Sequence, residues 1–239
     1  MAISGIVVLI IGAVLFFVRR HQQNRAFSLK SARKTTAAEL QATAQGVASE
    51  IGGGDWRDYV KVWGEVVTDT PIHSDLKQAP CVYYSYSVQR EYEETVEEKD
   101  SDGRVTTRTQ RGSEVLSSHS QSTPFYLKDA SGKIQIDPEG ADIETVEVVN
   151  EFQHGDPIGG MLSFGYYKRT LSIGFGNSSR RTLGYRYREC ILPVGRSVLV
   201  LGAASDHSGE VAIAKPLAAN QHFVISFKAD EALAKSAER

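Results

Sequence analysis

The stretch Phe125-Tyr-Leu-Lys-Asp-Ala-Ser-Gly-Lys-Ile-Gln-Ile136 decides the fold, because it contains two short strand patterns joined by a turn. Apolar and polar residues alternate on both sides of Asp129-Ala-Ser-Gly132, which has the composition of a tight turn. Such a turn brings Phe125 and Ile134 onto one face, and Asp137-Pro138 ends the second strand because proline cannot donate a ladder hydrogen bond. The stretch therefore predicts a β-hairpin with one buried face.

Strand patterns continue on both sides of this hairpin, with almost no helix between them. They cover residues 60–66, 82–92, 146–152, 186–191, 197–202, 210–214 and 222–227. Short strands separated by turn signals are typical of all-β domains and not of parallel α/β sheets. We expect a mainly β domain over residues 56–228, folded as an antiparallel OB-like small β-barrel, with a two-sheet β-sandwich as the alternative.

A second hairpin is predicted at Asp102-Gly103, a strong two-residue turn signal. A two-residue loop there places Glu94 opposite Arg111 and sets Glu91 against Glu114. Because like charges opposed in this way are unfavourable, the ladder is expected to fray or bulge by that point. Mixed charges along such a ribbon favour a solvated edge over a binding arm.

Two helices flank the β region. Thr36-Ala-Ala-Glu39 forms a capping box, which predicts a linker helix from there to about residue 50, where three glycines follow. Residues 21–55 are therefore assigned to this linker helix and to a basic segment before it, which we call juxtamembrane because the preceding residues are predicted to form a membrane anchor. Residues 229–239 are expected to form a short C-terminal helix.

The N-terminal residues form an apolar run without a charged side chain from Ala2 to Val18. As a helix this run is about 25 Å long, slightly less than the ~30 Å hydrocarbon core of a bilayer. Basic residues follow the run and none precedes it, which favours a single transmembrane anchor over residues 1–20, not a cleaved signal peptide. The positive-inside rule then places the folded domain on the cytoplasmic side. The basic residues that we expect to face lipid headgroups are Arg19, Arg20, Arg25, Lys30, Arg33 and Lys34.

Catalytic and metal-binding patterns are sparse. The 27 basic and 29 acidic residues give a net charge of −2, which does not suggest nucleic acid. Two cysteines, Cys81 and Cys190, form no disulfide framework, and the histidines lack the spacing of a zinc site. Cys81 is more readily explained as a core residue than as a nucleophile. Glu189 is expected to be buried and paired with Arg186 or Arg188. We predict no catalytic residue, no metal and no cofactor.

A glycine-rich but apolar segment over residues 155–176 is the least regular part of the chain. If this apolar segment were an exposed loop, it would need a protein partner or a bilayer to cover it. The alternative is that the segment forms a hairpin packed over the barrel. Its candidate interaction residues are Met161, Leu162, Phe164, Tyr166, Tyr167 and Phe175.

An ordered set of segments carries a resemblance to a known family. The segments are residues 59–66, 79–84, 123–141, 184–193 and 198–202. In this order they resemble the GIDE or BAM domain, found in the mitochondrial membrane-anchored E3 ubiquitin ligase and in prokaryotic relatives. In the eukaryotic relatives this domain lies between two membrane helices, and a separate RING transfers ubiquitin. A RING needs eight zinc ligands, mostly cysteines, whereas the 239 residues contain two cysteines. The resemblance is therefore to the domain without its RING. A second membrane helix beyond residue 239 is left open.

The leading functional hypothesis is a membrane-anchored, single-pass, non-catalytic binding or scaffolding module with a protein partner or a second copy of itself. An E3 ubiquitin ligase-type protein is the first alternative, on the family resemblance. A lipid- or envelope-sensing membrane protein is the second.

Overall fold

A computed structural model describes residues 31–51, 56–99, 104–157, 160–170, 180–206 and 210–229. Within these ranges the chain forms short and long strands and one helix: β1 Arg33–Lys34, α1 Ala37–Ile51, β2 Arg57–Val67, β3 Ile72–His73, β4 Pro80–Lys99, β5 Val105–Ser122, β6 Phe125–Lys128, β7 Lys133–Ile136, β8 Asp142–Ile143, β9 Val146–His154, β10 Met161–Phe164, β11 Tyr167–Thr170, β12 Arg180–Pro193, β13 Ser197–Ser205, β14 Ala212–Ala214 and β15 Val224–Ser226. The predicted mainly β character is confirmed.

The chain divides into two compact units whose segments alternate along the sequence. The first unit comprises Met1–Asp69, Thr123–Glu144 and Val194–Arg239. The second comprises Thr70–Ser122 and Thr145–Pro193. The stretch predicted as one β domain, residues 56–228, therefore supplies both units, and the second unit is built from two excursions out of the first.

The first unit contains a closed five-stranded barrel. Strand β2 pairs with β6, β6 with β7, β7 with β14, β14 with β13, and β13 returns to β2. The predicted barrel is confirmed and the sandwich alternative is not found here. One ladder, β7 with β14, is parallel, so the barrel is not purely antiparallel. The long connection between those two strands allows this direction, since parallel neighbours need a crossover.

Close strand crossing explains Gly64 on β2. A Cβ atom at this position would lie 2.6 Å from the Lys128 carbonyl oxygen and 2.9 Å from the Leu127 side chain. Strand β6, which carries both neighbours, is the first strand of the predicted hairpin, and its partner β7 follows the predicted turn. Phe125 and Ile134 are both buried, as the sequence predicts.

Helix α1 begins with the predicted capping box. The Glu39 amide donates to the Thr36 hydroxyl (3.4 Å), and the Thr36 amide donates to the Glu39 carboxylate (3.3 Å). A second cap comes from the β6–β7 turn, where Asp129 Oδ2 accepts a hydrogen bond from the Ala37 amide (2.8 Å). The start of the helix is thus attached to the hairpin that decides the fold.

In the part of the chain that the structure describes, no helix is both long and apolar enough to cross a bilayer. The predicted anchor over residues 1–20 lies outside the described residues, and so does all but the first residue of the predicted C-terminal helix over residues 229–239.

The second unit is a curved sheet in which β4 is central. Strand β4 pairs on one side with β12, which pairs in turn with β9, and on its other side with β3 and β5. A separate two-stranded hairpin, β10 with β11, also belongs to this unit.

The register of β4 with β5 differs by one residue from the sequence prediction. Glu93, not Glu94, lies opposite Arg111, and Arg90, not Glu91, lies opposite Glu114. In the observed register Glu114 pairs with Arg90 (3.2 Å) in place of the like-charged Glu91, while Arg111 keeps a glutamate partner, Glu93 (3.3 Å). A bulge follows, because Val88 pairs with Ser117 and Gln89 with Val115, which leaves Leu116 unmatched.

Candidate functional site

The hairpin β10–β11 lies over one face of the second unit's sheet. Leu162 and Tyr167 are buried in a core cluster that also contains Val88 and Tyr187 of the sheet. Phe164 packs against the same cluster and stacks on Tyr187, with ring centroids 4.7 Å apart. The packed-hairpin alternative is therefore what the structure shows, with the hairpin packed on the second unit's own sheet.

This arrangement corrects the predicted interaction surface. Leu162 is 1% exposed and Tyr167 is 9% exposed, so neither side chain can meet a partner while the hairpin is closed. Strand alternation is the cause, since it turns every second side chain of each short strand inward. Met161 and Tyr166 remain outward, at 48% and 77% exposure. Phe175 lies outside the described residues.

Two phenol groups where the hairpin meets the sheet are buried and have no hydrogen-bond partner among the described residues. They are the hydroxyls of Tyr167 and Tyr187, whose rings meet edge to face at 6.4 Å. Burial, followed by the neighbouring Tyr167 and Tyr185, raises the pKa of Tyr187 to about 12. A phenol with such a pKa stays protonated near neutral pH and serves here as a packing group.

Glu189 on β12 is fully buried and holds the loop between β3 and β4. Its Oε1 accepts a hydrogen bond from the Leu76 amide (2.7 Å). Its Oε2 accepts one from the Lys77 amide (2.9 Å) and one from the Ser74 hydroxyl (2.8 Å). Both carboxylate oxygens are thus occupied by donors of the loop, which gives Glu189 a structural role.

The predicted ion pair of Glu189 with Arg186 or Arg188 is wrong. On a strand, odd and even residues point to opposite faces, so both arginines project away from Glu189. Arg186 instead binds Glu91 on the neighbouring strand, with Nε and Oε1 2.6 Å apart.

A nucleophile or metal centre is not evident among the described residues. Cys81 is buried, and burial followed by the nearby Glu189 carboxylate raises the pKa of its thiol to about 11, which keeps the thiol protonated. Cys190 is half-buried. The described ranges hold no cluster of three or more histidine, cysteine, aspartate or glutamate side chains able to ligate a metal.

The opposite face of the sheet is rich in hydroxyl groups. Tyr86 and Val88 of β4 point to the hairpin cluster, so alternation turns Tyr83, Ser85 and Ser87 to the other face. On β5 their register partners are serines: Ser122, Ser120 and Ser118. A shallow, open depression lies along these two strands. It is lined by Tyr83, Ser85, Ser118 and Ser120 of this face, together with Tyr86 and its register partner His119.

The outer edge of β5 adjoins this depression. Among the described strands β5 pairs with β4 alone, so half of its backbone N–H and C=O groups point away from the sheet. Residues 105–114 of this strand contain Arg108, Arg111 and Glu114, whereas residues 117–122 read Ser-Ser-His-Ser-Gln-Ser and carry no Lys, Arg, Asp, Glu or Pro. The side chains of residues 118–122 are exposed. We call residues 117–122 the uncharged edge. It lacks the charges and prolines with which natural edge strands avoid pairing. The sequence signal for this site, a Ser-rich strand end, was present. It indicates a site only when the strand is known to lie at the edge of a sheet.

Of the predicted lipid-facing residues, only two lie in the described ranges. Arg33 and Lys34 form β1, and Arg33 donates to Asp58 Oδ2 from Nε (2.9 Å) and Nη2 (2.6 Å). Arg33 is thus engaged by a carboxylate. The lipid-facing role of the whole set stays a prediction, because the other four residues lie outside the described ranges: Arg19, Arg20, Arg25 and Lys30.

Comparison with known proteins gives one family. The family model described as GIDE, E3 ubiquitin ligase, matches residues 93–239, which is more than half of the chain. No curated protein and no solved structure matches the chain significantly.

Proposed function

The chain belongs to the GIDE family, described as E3 ubiquitin ligase, and on this premise we propose that it is a membrane-anchored, non-catalytic binding module beside the cytoplasmic face of a membrane. The second unit presents the binding site, and the ligand is an extended segment of a partner protein. For the first unit, we assign the barrel as OB-like, which is supported by its five strands and its single parallel ladder.

The uncharged edge is the observation that carries this proposal. Addition of a strand to a sheet edge uses backbone hydrogen bonds for affinity and neighbouring pockets for specificity. Residues 117–122 offer the backbone groups, and the depression lined by Ser85, Ser118 and Ser120 offers space for alternate side chains of the added strand. The covering hairpin packs against the sheet that carries this edge.

Support for the membrane anchor comes from sequence. The apolar run of residues 2–18 and the basic residues that follow it favour a transmembrane helix with the folded units on the cytoplasmic side. Labelling of introduced cysteines by a membrane-impermeant reagent, in intact and in opened vesicles, tests the sidedness. In intact vesicles whose cytoplasmic face points inward, an introduced cysteine that is labelled only after the vesicles are opened supports the cytoplasmic placement. A cysteine that is labelled in the intact vesicles contradicts it.

Charge substitutions on β5 test the binding site. Lysine on an edge strand opposes strand addition, so the double variant Ser118→Lys, Ser120→Lys is expected to lose its partner. The matched control is Thr107→Lys, Thr109→Lys, on the part of the same strand that is already charged. Full-length protein in native membranes is cross-linked through a photoreactive residue at Gln121, and the cross-linked species are identified by mass spectrometry.

The expected result is a partner band that disappears in the first variant and persists in the control. A band between two copies of this chain identifies the partner as a second copy at the same edge. Equal bands in both variants, or no band from wild type, overturn the proposed site.

The family description favours an E3 ubiquitin ligase-type function as a second candidate. Two cysteines in 239 residues do not provide a RING, so ubiquitin transfer would need a RING from outside these residues. Stoichiometric zinc in the purified chain, or self-ubiquitination with E1 and E2 alone, supports the ligase. The absence of both removes it for these residues.

A further inference from the structure

The outer face of β2 carries an exposed tryptophan on the barrel. Odd-numbered residues of this strand point outward, because Val60, Val62 and Val66 fill the core. Trp63 is one of the outward residues and is 41% exposed, so a large part of its ring is open to solvent.

The first described residues of the chain pack on this same face. Ala32 packs in a cluster with Tyr59, Leu199 and other residues, and Leu199 is the register partner of Trp63. Strand β1 runs beside β2, where Lys34 lies opposite Lys61. Because β1 and β2 are parallel, the described chain begins near the Tyr59 end of β2, and Trp63 lies four residues further along this strand.

The distance to the apolar run is short. Thirteen residues, 19–31, separate Val18 from Ala32, and a fully extended chain of that length spans at most about 45 Å. If the apolar run is embedded in a bilayer, the face that carries Trp63 is kept within that reach of the headgroups.

The charges around this face suit an anionic surface. Strands β1 and β2 together contain four basic residues and two acidic ones, so their balance is 4 − 2 = +2, whereas the whole chain has −2. The basic residues are Arg33, Lys34, Arg57 and Lys61, and the acidic ones are Asp58 and Glu65. Tryptophan is favoured at the headgroup level of membranes, and lysine and arginine are attracted to anionic lipids.

We propose that Trp63, with Lys34 and Lys61, rests on the headgroup region of an anionic bilayer and orients the barrel on the membrane. We call this surface the Trp63 face. The proposal rests on the membrane anchoring proposed above and adds a second contact of the same chain with the lipid. The ligand is a lipid surface, recognised through a ring that enters the interface and through two lysines.

Single-tryptophan variants of the full chain test the Trp63 face. The chain contains two tryptophans, so Trp56→Phe leaves Trp63 as the reporter, and Trp63→Phe leaves Trp56 as the matched control. Each variant is reconstituted into nanodiscs with phosphatidylcholine alone or mixed with phosphatidylglycerol, with and without lipids brominated near the headgroup. Circular dichroism checks that both variants fold.

In anionic nanodiscs, Trp63 is expected to emit at shorter wavelength and to lose about half of its emission to brominated lipid, while Trp56 changes little. Added salt, or the double variant Lys34→Gln, Lys61→Gln, should reduce the quenching of Trp63.

Other outcomes separate the possible failures. Trp63 that stays water-exposed and unquenched, in a chain that co-purifies with the nanodiscs, overturns the docking and leaves the anchor intact. A chain that does not associate with lipid at all overturns the anchor and the docking with it. Blue-shifted but unquenched Trp63 shows that protein covers the face, which also overturns the lipid assignment.

Discussion

Replacement of Glu189 by alanine should release the loop between β3 and β4. The substitution removes the acceptor of the Leu76 and Lys77 amides, which bind its carboxylate at 2.7 and 2.9 Å, and of the Ser74 hydroxyl at 2.8 Å. An orphaned buried amide costs about 1–3 kcal/mol, so two of them destabilise the closed loop by about 2–6 kcal/mol. The lower bound corresponds to a roughly 30-fold increase in opening, since 1.4 kcal/mol is a factor of ten.

Hydrogen exchange followed by mass spectrometry measures this opening directly. Peptides that cover residues 74–79 of the full chain should exchange at least about 30-fold faster in Glu189→Ala than in wild type. Glu189→Gln keeps one carbonyl oxygen in place of two acceptor oxygens, so it should fall between the two. The matched control is Glu147→Ala, an exposed glutamate of β9 whose side chain binds only Asn150 Nδ2 (3.0 Å) among the described residues, and its effect should stay within about 0.5 kcal/mol.

Unchanged exchange of residues 74–79 in Glu189→Ala would refute the assignment of the carboxylate as the holder of this loop. Equal acceleration in every peptide of both units would refute the local character of the effect. Tryptophan fluorescence serves as a check, because Trp56 and Trp63 both belong to the first unit and should not respond.

Three further predictions concern single side chains. Burial by itself would raise the pKa of Asp129, but hydrogen bonds from the Ser131 hydroxyl and from backbone amides, including that of Ala37, lower it below its usual 3.8. The stability that ionised Asp129 contributes to the fold is therefore present above about pH 4 and is lost as the pH falls through the lowered pKa. Asp129→Ala should lower the free energy of unfolding, measured in urea at pH 7, by about 1–2 kcal/mol and should remove this acid dependence. Tyr187→Phe deletes a buried hydroxyl that has no hydrogen-bond partner among the described residues and should raise the free energy of unfolding by up to about 1 kcal/mol; a loss of stability would mean that the hydroxyl is satisfied. Because burial raises the pKa of the Cys81 thiol to about 11, only about one Cys81 thiol in a thousand is ionised at pH 8. Iodoacetamide should therefore modify half-buried Cys190 before Cys81 in the native chain. Mass spectrometry that finds the reverse order would contradict the buried position of Cys81.

Features set by neighbouring residues were predictable. The capping box of Thr36 and Glu39 needs only residues one helical turn apart, and the structure shows both of its hydrogen bonds. The β6–β7 hairpin needs only a turn composition and alternation on either side. The family was also recognisable from the order of short strand segments, and the match over residues 93–239 confirms it.

Features set by distant residues were missed or misplaced. The register of β4 with β5 was wrong by one residue; the observed register pairs Arg90 with Glu114 and so avoids the like-charge pair of Glu91 with Glu114 that a two-residue turn imposes. The partner of Glu189 was wrong because its donors lie more than 110 residues away in the sequence, although strand alternation alone could have excluded Arg186 and Arg188.

The candidate site shows the same division. Its residue types were visible in the sequence, but Leu162 and Tyr167 are internal because the hairpin folds onto a sheet built from two separate chain segments. The Ser-rich end of β5 became a candidate only once the structure showed which strand is the edge.

By itself, the sequence determined the strand content, the start of the helix, the first hairpin and the apolar N-terminal run, because each depends on the period of side chains along one segment. Only the tertiary structure decided the closure of five strands into a barrel, the burial of the apolar hairpin and the position of the uncharged edge. These depend on which distant segments meet, and that choice is made by packing and by hydrogen bonds between residues that no local pattern relates.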